Sequence, residues 1–341
     1  MKILALETSC DDTAVAIVDN GCRVISSVRV SQGEHNDWGG VVPEIAARLH
    51  AENWRGALEE CLSIANISIT EIEALAVTQG PGLQTSLLSG TTAASFLSQL
   101  YQKPLIPVHH VHGHLCSVFL ERELDSVEFP ALVLTVSGGH TDLYLWKSPT
   151  HWEKLGGTLD DAAGEAFDKT AKMLGLGYPG GPIVSERALL GDRQKYKLPV
   201  PNPGKDSLDF SFSGVKSAIY RLVQDYKSGL GVDEMALSPD FVNNVCASFE
   251  TIVSKIFVKK ITTAFAQNPN VKTLCFVGGV SANTYIKRDL ETLSQQYGIK
   301  FLTPVKNEYS TDNAAMIASS AYFLRDTAKI QHVEASPRLN L

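Results

Sequence analysis

The sequence predicts an α/β protein of two domains with a ligand bound between its halves. Three observations favour this fold class. Each half opens on short β-branched strands joined by polar turns, later strands alternate with helices, and the two halves repeat one plan. A chain of 341 residues also exceeds one compact core of ordinary size, which favours two domains of roughly 150 residues each.

The first half opens with strands joined by turns and continues with helices. The letters ILALE, AVAIV and RVISSVRV predict three strands, separated by the turns TSCDDT and DNG. A long helix is predicted from Pro43, because proline is favoured in the first turn of a helix. EALAVTQGPG then predicts a strand that runs into a glycine turn, and TSLLSGTTAASFLSQLY predicts a second helix.

The second half opens in the same way. ALVLTV and DLYLW predict strands on either side of the turn SGGHT, and HWEKLGG closes the unit after a second turn, KSPT. Superposing the first turns of the two halves places Ser9 over Ser137 and Thr13 over Thr141, 128 residues apart. The pattern indicates either an internal duplication or only the likeness that any two hairpins share.

The rest of the second half predicts helices around one further strand. Residues 158 to 174 predict a helix with an apolar face that contains Phe167 and an acidic face that contains Asp161 and Asp168. TLCFVGG predicts a strand that leads through VSAN into the helix TYIKRDLETLSQQYG. A helix over STDNAAMIASSAYFLR is predicted to end the ordered chain.

Composition and charge exclude several classes of protein. A net charge of −7 argues against a surface that coats nucleic acid along its whole extent. No apolar run approaches the ~18 residues of a membrane span. The first strand begins at Lys2, so we expect a cytoplasmic protein with no targeting peptide unless one has been removed. The six cysteines form no CxxC pair, which favours buried reduced thiols over disulfides.

Glycine turns at four strand ends are candidates for holding a phosphate group. Glycine lets the backbone approach a ligand closely, and successive amide N–H groups bind anions. One such turn is most often only a turn, but four in one chain favour a phosphate site. Neither GxxxxGK[ST] nor a strand-anchored GxGxxG is present, so Walker and Rossmann sites are not predicted. The turns are Gly80-Pro81-Gly82, Ser137-Gly138-Gly139, Gly180-Gly181 and Gly278-Gly279.

Four histidines lie within PVHHVHGHL, residues 107 to 115. His110 and His114 are predicted metal ligands, because a spacing of four places two side chains on one helix face and imidazole is a common metal ligand. The HExxH motif of zinc proteases is absent, since Val111 follows His110. Asp312 is a candidate third ligand, although the local sequence alone favours it as the N-cap of the following helix.

Seven motifs, taken in order, resemble those of the TsaD family, the tRNA threonylcarbamoyladenosine transferases. They are ETSCDDTAVAIV, PVHHVHGHL, VSGGHT, GEAFDKTAKMLGLGYPGGP, FSFSG, FVGGVSAN and STDNAAM. The resemblance implies the actin-like, sugar-kinase and heat-shock-chaperone fold, with two duplicated ribonuclease H-like domains and the active site in the cleft between them. It places the first domain at residues 1–128, completed by a helix at 312–325, the second at 129–311 and a tail at 326–341.

The same resemblance implies a metal-dependent acyltransferase. Members of the family transfer the threonylcarbamoyl group from threonylcarbamoyl-AMP to the exocyclic amine of adenosine 37 in tRNAs that read codons beginning with A, and they release AMP. The implied cofactor is one divalent metal ion per subunit, Fe²⁺ or alternatively Zn²⁺. Protein helpers are also implied, TsaB and TsaE in a bacterium, and no membrane.

The resemblance carries site residues over position by position. His110, His114 and Asp312 would be the metal ligands, which replaces the N-cap assignment of Asp312. Ser185 stands where many relatives have aspartate, and it is retained as a ribose contact because a serine can still bind one hydroxyl group. The implied substrate-binding residues are Thr135, Val136, Ser137, Gly138 and Gly139, with Asp168, Gly181 and Asn283 on the nucleotide part.

Two further roles are proposed from the residues themselves. Asp11, in the first turn beside Asp12, is the candidate for taking a proton from the amine, and turn formation is the alternative role. Residues 191 to 221 carry a local excess of three positive charges, which predicts a surface for the tRNA backbone or else only a solvated loop. The cations are Arg193, Lys195, Lys197, Lys205, Lys216 and Arg221.

Three other functions compete with this interpretation. An ATP-dependent small-molecule kinase of the same superfamily would transfer phosphate, but it would leave the paired histidines without a role. A nucleotide-regulated scaffold would keep its function without His110 and His114. A metallopeptidase is disfavoured by the absent glutamate.

Overall fold

A computed structural model describes residues 1–38, 40–201, 203–204, 206–229, 237–326 and 331–339 of the chain. The chain divides into two compact units: Met1–Val127 with Thr303–Leu341 form the first unit, and Glu128–Leu302 form the second. Each unit is built on a five-stranded sheet with helices, and the predicted α/β class is therefore confirmed.

The first unit contains a mixed sheet in the order β3-β2-β1-β4-β5. The first three strands are antiparallel, whereas β4 and β5 run parallel to β1. Alternate residues of β1 face opposite sides, so Leu4 packs with α1 and α2 while Ile3 packs in a separate core on the other face. In chain order the elements are β1 (Lys2–Glu7), β2 (Asp12–Asp19), β3 (Arg23–Ser31), α1 (Pro43–Ala65), β4 (Ala74–Gly80), α2 (Gln84–Tyr101), β5 (Leu105–His109) and α3 (His110–Cys116).

The second unit contains a sheet in the order β10-β9-β6-β7-β8. Again three strands are antiparallel and two are parallel to the first of them. Its elements are β6 (Ala131–Val136), β7 (Thr141–Ser148), β8 (His151–Gly157), α4 (Ala163–Met173), α5 (Gly180–Ala188), α6 (Ser213–Gly229), α7 (Pro239–Gln267), β9 (Thr273–Val277), α8 (Thr284–Gln296) and β10 (Lys300–Leu302).

The two sheets repeat one topology. Counted from the first strand of each unit, both have the order third, second, first, fourth, fifth. The register repeats as well, because Glu7 pairs with Ala14 and Thr135 pairs with Asp142, each 128 residues further along the chain. The likeness of the two turns therefore reflects a duplicated fold unit, as expected from the predicted superfamily.

Helix α4 begins later than the sequence predicted. It starts at Ala163 and not at residue 158, so Asp161 does not share a helix face with Asp168. The preceding residues form a turn because the Thr158 hydroxyl donates to the Asp161 carbonyl at 2.7 Å. Phe167 lies on the buried face, as predicted.

Helix α7 has the length and apolar composition of a membrane span, and no other helix in the described part of the chain does. However, 83% of its most apolar window is buried inside the protein. Phe249, Val253 and Phe257 of this helix belong to the core of the second unit. Its apolar character is thus explained by its place in that core.

The chain returns to the first unit at Thr303 and forms α9 (Ala314–Leu324). The prediction that this helix ends the ordered chain was wrong. Of the predicted tail at 326–341, residues 327–330 and 340–341 lie outside the described residues, but 331–339 run along the first unit. There the Ser336 N–H donates to the Gln79 carbonyl at 2.8 Å, and Val333 is buried beside α2.

Replacing Val333 with aspartate is expected to lower the free energy of unfolding by about 2–4 kcal/mol, because an unpaired carboxylate would be buried. Val333 is 3% exposed, whereas its neighbour His332 is exposed. Thermal denaturation of Val333→Asp and His332→Asp checks this. Equal melting temperatures for the two variants would show that the tail does not contribute to the fold.

Candidate functional site

The paired histidines lie on α3, which begins directly where β5 ends. The His109 ring caps this helix, since its Nδ1 accepts a hydrogen bond from the Val111 N–H at 3.1 Å. The spacing of four then brings His110 and His114 to the same side, with ring centroids 4.7 Å apart. Both side chains are buried.

Asp312 lies just before α9 and faces both histidines. Its Oδ1 is 3.5 Å from His110 Nε2 and 3.2 Å from His114 Nε2. The N-cap assignment favoured by the local sequence was wrong, because Asn313 caps α9 by accepting the Met316 N–H at 2.9 Å. The three possible ligand atoms lie within 4.8 Å of one another, and they come from residues 110, 114 and 312.

The donor set fits a divalent metal ion. His114 is fully buried, and neither of its ring nitrogens makes a hydrogen bond. Burying an imidazole that makes no hydrogen bond is costly, and a cation held by the Nε2 atoms of His110 and His114 and by Asp312 would lower that cost at His114 Nε2. Two imidazoles and one carboxylate are ligands that suit iron and zinc and leave coordination positions open.

Glu7, at the end of β1, supports this cluster and was missed by the sequence analysis. It is fully buried, and its Oε2 lies 3.2 Å from His110 Nδ1. The Ser9 N–H donates to its Oε1 at 2.6 Å, and the Thr78 hydroxyl donates a short hydrogen bond to its Oε2. The available signal was a lone carboxylate directly after the apolar run ILAL of β1.

Glu7 and His110 titrate as a pair. Burial lowers the pKa of His110, but the charges of Asp312 and Glu7 outweigh burial and raise it to about 9. Burial raises the pKa of Glu7, but the charge and hydrogen bond of His110 outweigh it, so the net pKa is lowered. In the metal-free protein His110 is therefore an imidazolium held by two carboxylates.

The candidate proton acceptors lie in the turn between β1 and β2. Asp11 is partly buried, and its backbone carbonyl accepts the Gln32 N–H. Asp12 begins β2, and burial raises its pKa to about 6 against the opposing charge of Arg29. The catalytic role predicted for Asp11 stays a prediction.

The segment from Thr135 to Gly139 turns from the core to the surface. Thr135 and Val136 end β6 with fully buried side chains. Ser137 closes the turn, because its N–H donates to the His140 carbonyl at 2.8 Å. Gly138 and Gly139 are the exposed residues of this segment, so backbone groups here are better placed than the first two side chains to meet a ligand.

The four predicted nucleotide residues of the second unit are linked by hydrogen bonds. Asp168 Oδ1 accepts the Gly180 N–H at 2.8 Å, at the start of α5. Burial raises the pKa of Asp168 although the N–H groups of Gly180 and Gly181 act in the opposite direction. Ser185 Oγ donates to the Gly181 carbonyl at 3.0 Å and accepts from Asn283 Nδ2 at 2.8 Å.

The chain is similar to known proteins along most of its length. The model of the TsaD family, described as tRNA N6-adenosine threonylcarbamoyltransferase, matches residues 23–319. The chain belongs to this family. The protein of that name in Thermosipho africanus is 42% identical to this chain over 345 residues, and the match covers all of both chains. The one in Staphylococcus saprophyticus is 43% identical, and the match covers 94% of this chain and 91% of the relative.

Two solved structures show the same fold. Full-length HypF in its phosphate- and nucleotide-bound form has a TM-score of 0.61 at 12% identity, and the match covers 95% of this chain and 56% of HypF. (R)-2-Hydroxyglutaryl-CoA dehydratase component A of Acidaminococcus fermentans has a TM-score of 0.53 at 14% identity, covering 95% and 98% of the two chains. At these identities the likeness concerns the fold alone.

The comparisons confirm the predicted family and actin-like fold, together with the class of enzyme, a transferase that modifies tRNA. The kinase and scaffold alternatives are not favoured, since the relatives carry the transferase name. The individual roles of the TsaD-like site residues stay predictions.

Proposed function

We propose that the protein transfers the threonylcarbamoyl group of threonylcarbamoyl-AMP to the exocyclic amine of adenosine 37 in tRNAs that read codons beginning with A. The observation that carries this proposal is the His110–His114–Asp312 cluster in a chain of the TsaD family. A kinase would not need these buried ligands.

We propose Fe²⁺ as the resident metal, with Zn²⁺ as the alternative, held by His110, His114 and Asp312. When bound, such an ion polarises the carbamoyl carbonyl and stabilises the negative charge that develops on its oxygen. Glu7 accepts the Nδ1 proton of His110, which keeps the Nε2 lone pair directed at the cluster.

The transfer needs one proton acceptor. The exocyclic nitrogen forms a bond to the carbamoyl carbon, the bond from that carbon to the phosphate oxygen breaks, and AMP leaves with the electron pair. The amine must lose a proton in this step, and we assign it to the Asp11 carboxylate.

The nucleotide part of the donor is assigned to the second unit. Gly138 and Gly139 are exposed residues, and their backbone N–H groups suit the phosphate. We assign ribose contacts to Asp168 and Ser185, and we place the sugar close to Gly181, where a backbone without a side chain leaves open space. Asn283, which the resemblance also places at the nucleotide, donates to Ser185 Oγ at 2.8 Å and so holds that side chain in place.

The tRNA, TsaB and TsaE are the proposed partners, and the proposed location is the cytoplasm. Fewer cations of the segment 191–221 are available to tRNA than the sequence predicted. Lys216 pairs with Asp161 at 2.6 Å, and Arg193 pairs with Glu250 at 2.7 Å. Lys205 lies outside the described residues. The remaining cations form a weak surface for tRNA, which favours a requirement for helpers.

The proposed function is tested by incubating the protein with threonylcarbamoyl-AMP carrying a labelled threonine, tRNA and the two helpers. We expect label in tRNA, release of AMP and loss of both after treatment with a chelator. Restoration by added Fe²⁺ but not Mg²⁺ would support the site. Activity that is indifferent to the chelator, or transfer of phosphate from ATP to a small molecule, would contradict the proposal.

Metal affinity is expected to rise with pH. Since the metal must bind a neutral imidazole and the pKa of His110 is about 9, uptake of Zn²⁺ should release about one proton at pH 7 and tighten about tenfold per pH unit between pH 6 and 8. Calorimetry in buffers of different ionisation enthalpy measures this release. A flat affinity would show that His110 is already neutral.

The same pKa has a consequence for the stability of the metal-free protein. Because folding raises the pKa of His110 from 6.5 to about 9, its pairing stabilises the fold fully below pH 6.5, and this contribution is lost as the pH rises through about 9. The melting temperature of the metal-free protein, measured as a function of pH, is therefore expected to fall as the pH rises from 6.5 through about 9.

A further inference from the structure

Glu250 is a buried carboxylate on the apolar helix α7. It is 2% exposed, and the residues beside it, Phe249 and Val253, belong to the core. Burying an ionised carboxylate is costly unless partners compensate for the lost water. Such a residue is therefore expected to fix the position of other groups.

Each oxygen of Glu250 has its own partner. Oε1 accepts a hydrogen bond from Asn283 Nδ2 at 2.6 Å, and Oε2 forms an ion pair with Arg193 Nη1 at 2.7 Å. Through Asn283, the network reaches Ser185, and through Ser185 it reaches the Gly181 carbonyl. The residues predicted to contact the nucleotide are thus connected, through Glu250, to one cation, Arg193.

Both N–H groups of the Asn283 amide are committed inside the protein. Its Nδ2 donates to both Glu250 and Ser185, and its Oδ1 caps α8 by accepting the Ile286 N–H at 2.9 Å. Asn283 therefore has no N–H group left for a ligand. A neighbouring residue must supply part of the recognition predicted for this position.

Arg193 has the geometry for that role. Its guanidinium carbon lies 3.7 Å from the centroid of the Tyr285 ring, while a quarter of the side chain stays exposed. The charge of Glu250 offsets that of Arg193, which makes the guanidinium a weak partner for phosphate. Tyr285 covers one face of the guanidinium plane, so the opposite face is the one that can stack on a nucleobase, as guanidinium planes do.

We propose that Arg193, held by Glu250 and Tyr285, stacks on the adenine ring of the nucleotide, and that Glu250 is the positioning residue of this contact. This assignment rests on the proposed function, because threonylcarbamoyl-AMP supplies the adenine. It also takes Arg193 out of the cations predicted to bind the tRNA backbone.

The test is AMP binding to the full-length, metal-loaded protein, measured by calorimetry. Arg193→Ala is expected to weaken AMP binding by about fivefold or more, because the planar group on which the base stacks is lost. Arg288→Ala is the matched control: Arg288 is 4.7 Å from the same ring but is exposed and pairs with Asp289. It is expected to leave AMP affinity unchanged.

Two conservative variants separate stacking from charge. Arg193→Lys keeps the ion pair with Glu250 but loses the planar group, so it should bind AMP as weakly as Arg193→Ala. Glu250→Gln keeps an acceptor for Asn283 and releases Arg193, and we expect a loss of about threefold or more with the metal content unchanged. In the transfer assay, KM for the donor should rise while kcat is largely retained.

The outcomes separate this inference from the proposed function. The stacking contact is overturned if Arg193→Ala binds AMP like the wild type, or if the wild type does not bind AMP. It is also overturned if Arg193→Lys binds AMP as tightly as the wild type, which would indicate a phosphate contact. If Arg193→Ala loses AMP affinity while the wild type transfers nothing to tRNA, the stacking contact stands and the proposed reaction fails. Melting temperatures of all variants identify any loss that is due to misfolding.

Discussion

Replacing His114 with alanine is expected to abolish metal binding and to slow threonylcarbamoyl transfer by roughly 1000-fold or more, because a bound metal supplies several kcal/mol of transition-state stabilisation. His114 is fully buried, and its Nε2 lies 3.2 Å from Asp312 Oδ1. Without it, His110 and Asp312 remain as a two-residue site. Metal content after loading with Zn²⁺ and dialysis, together with the transfer rate, measures the effect.

His112→Asn is the matched control for this variant. His112 is buried on the same helix, but its Nδ1 contacts Ser320 Oγ at 2.7 Å, outside the cluster. We expect the control to lose some stability and to keep one metal ion per chain. Added Zn²⁺ should raise the melting temperature of the wild type and of His112→Asn but not of His114→Ala. Retention of metal by His114→Ala would remove the basis of the proposed function.

The fold could be predicted from the sequence because its signals are local. The apolar strands, the proline at the start of α1 and the glycine turns each act over a few residues, and the duplication left the spacing of Ser9 and Thr13 repeated at Ser137 and Thr141. The start of α4 could not be predicted in this way. Thr158 forms a bridge with Phe210, which is far away in the sequence, and so lies outside the helix.

The resemblance implied all three residues of the His110–His114–Asp312 cluster, whereas the local pattern alone predicted only the histidines, for a physical reason. Asp312 and Asn313 are adjacent and both are good N-caps, so local preference cannot assign the two roles. The choice follows from the packing of α9 beside β1 and α3, which leaves Asn313 to cap the helix and brings Asp312 to the histidines. Glu7 was missed because its contact with His110 spans 103 residues.

Charges in the basic segment 191–221 could not be assigned from the sequence for the same reason, because their partners lie far along the chain. A count of cations along the chain gave Arg193 and Lys216 equal weight as contacts for tRNA. Their partners, Glu250 and Asp161, are 57 and 55 residues away, as the residue numbers show. Net charge along a segment therefore overestimates the positive surface whenever distant carboxylates fold onto it.

Replacing Glu7 with glutamine is expected to weaken metal binding by about 10- to 100-fold, the usual effect of removing a carboxylate that orients a ligating histidine. Glutamine keeps the size of the side chain and its bond to the Ser9 N–H but removes the charge beside His110 Nδ1. The pKa of His110 should then fall from about 9, because one of the two carboxylates that raise it is lost. Competition with a calibrated chelator measures the metal affinity.

Ser9→Ala is the control that identifies the acceptor of the His110 proton. Ser9 Oγ lies 3.2 Å from His110 Nδ1, the same distance as Glu7 Oε2, so geometry alone does not choose between them. Charge favours Glu7, since a carboxylate accepts a stronger hydrogen bond than a hydroxyl group. Ser9→Ala should therefore change the metal affinity by only about threefold. A larger loss in Ser9→Ala than in Glu7→Gln would make the hydroxyl the acceptor.

If Glu7 is the acceptor, Glu7→Gln should also release fewer protons than the wild type when it takes up Zn²⁺ at pH 8, because less of its His110 is protonated before the metal binds.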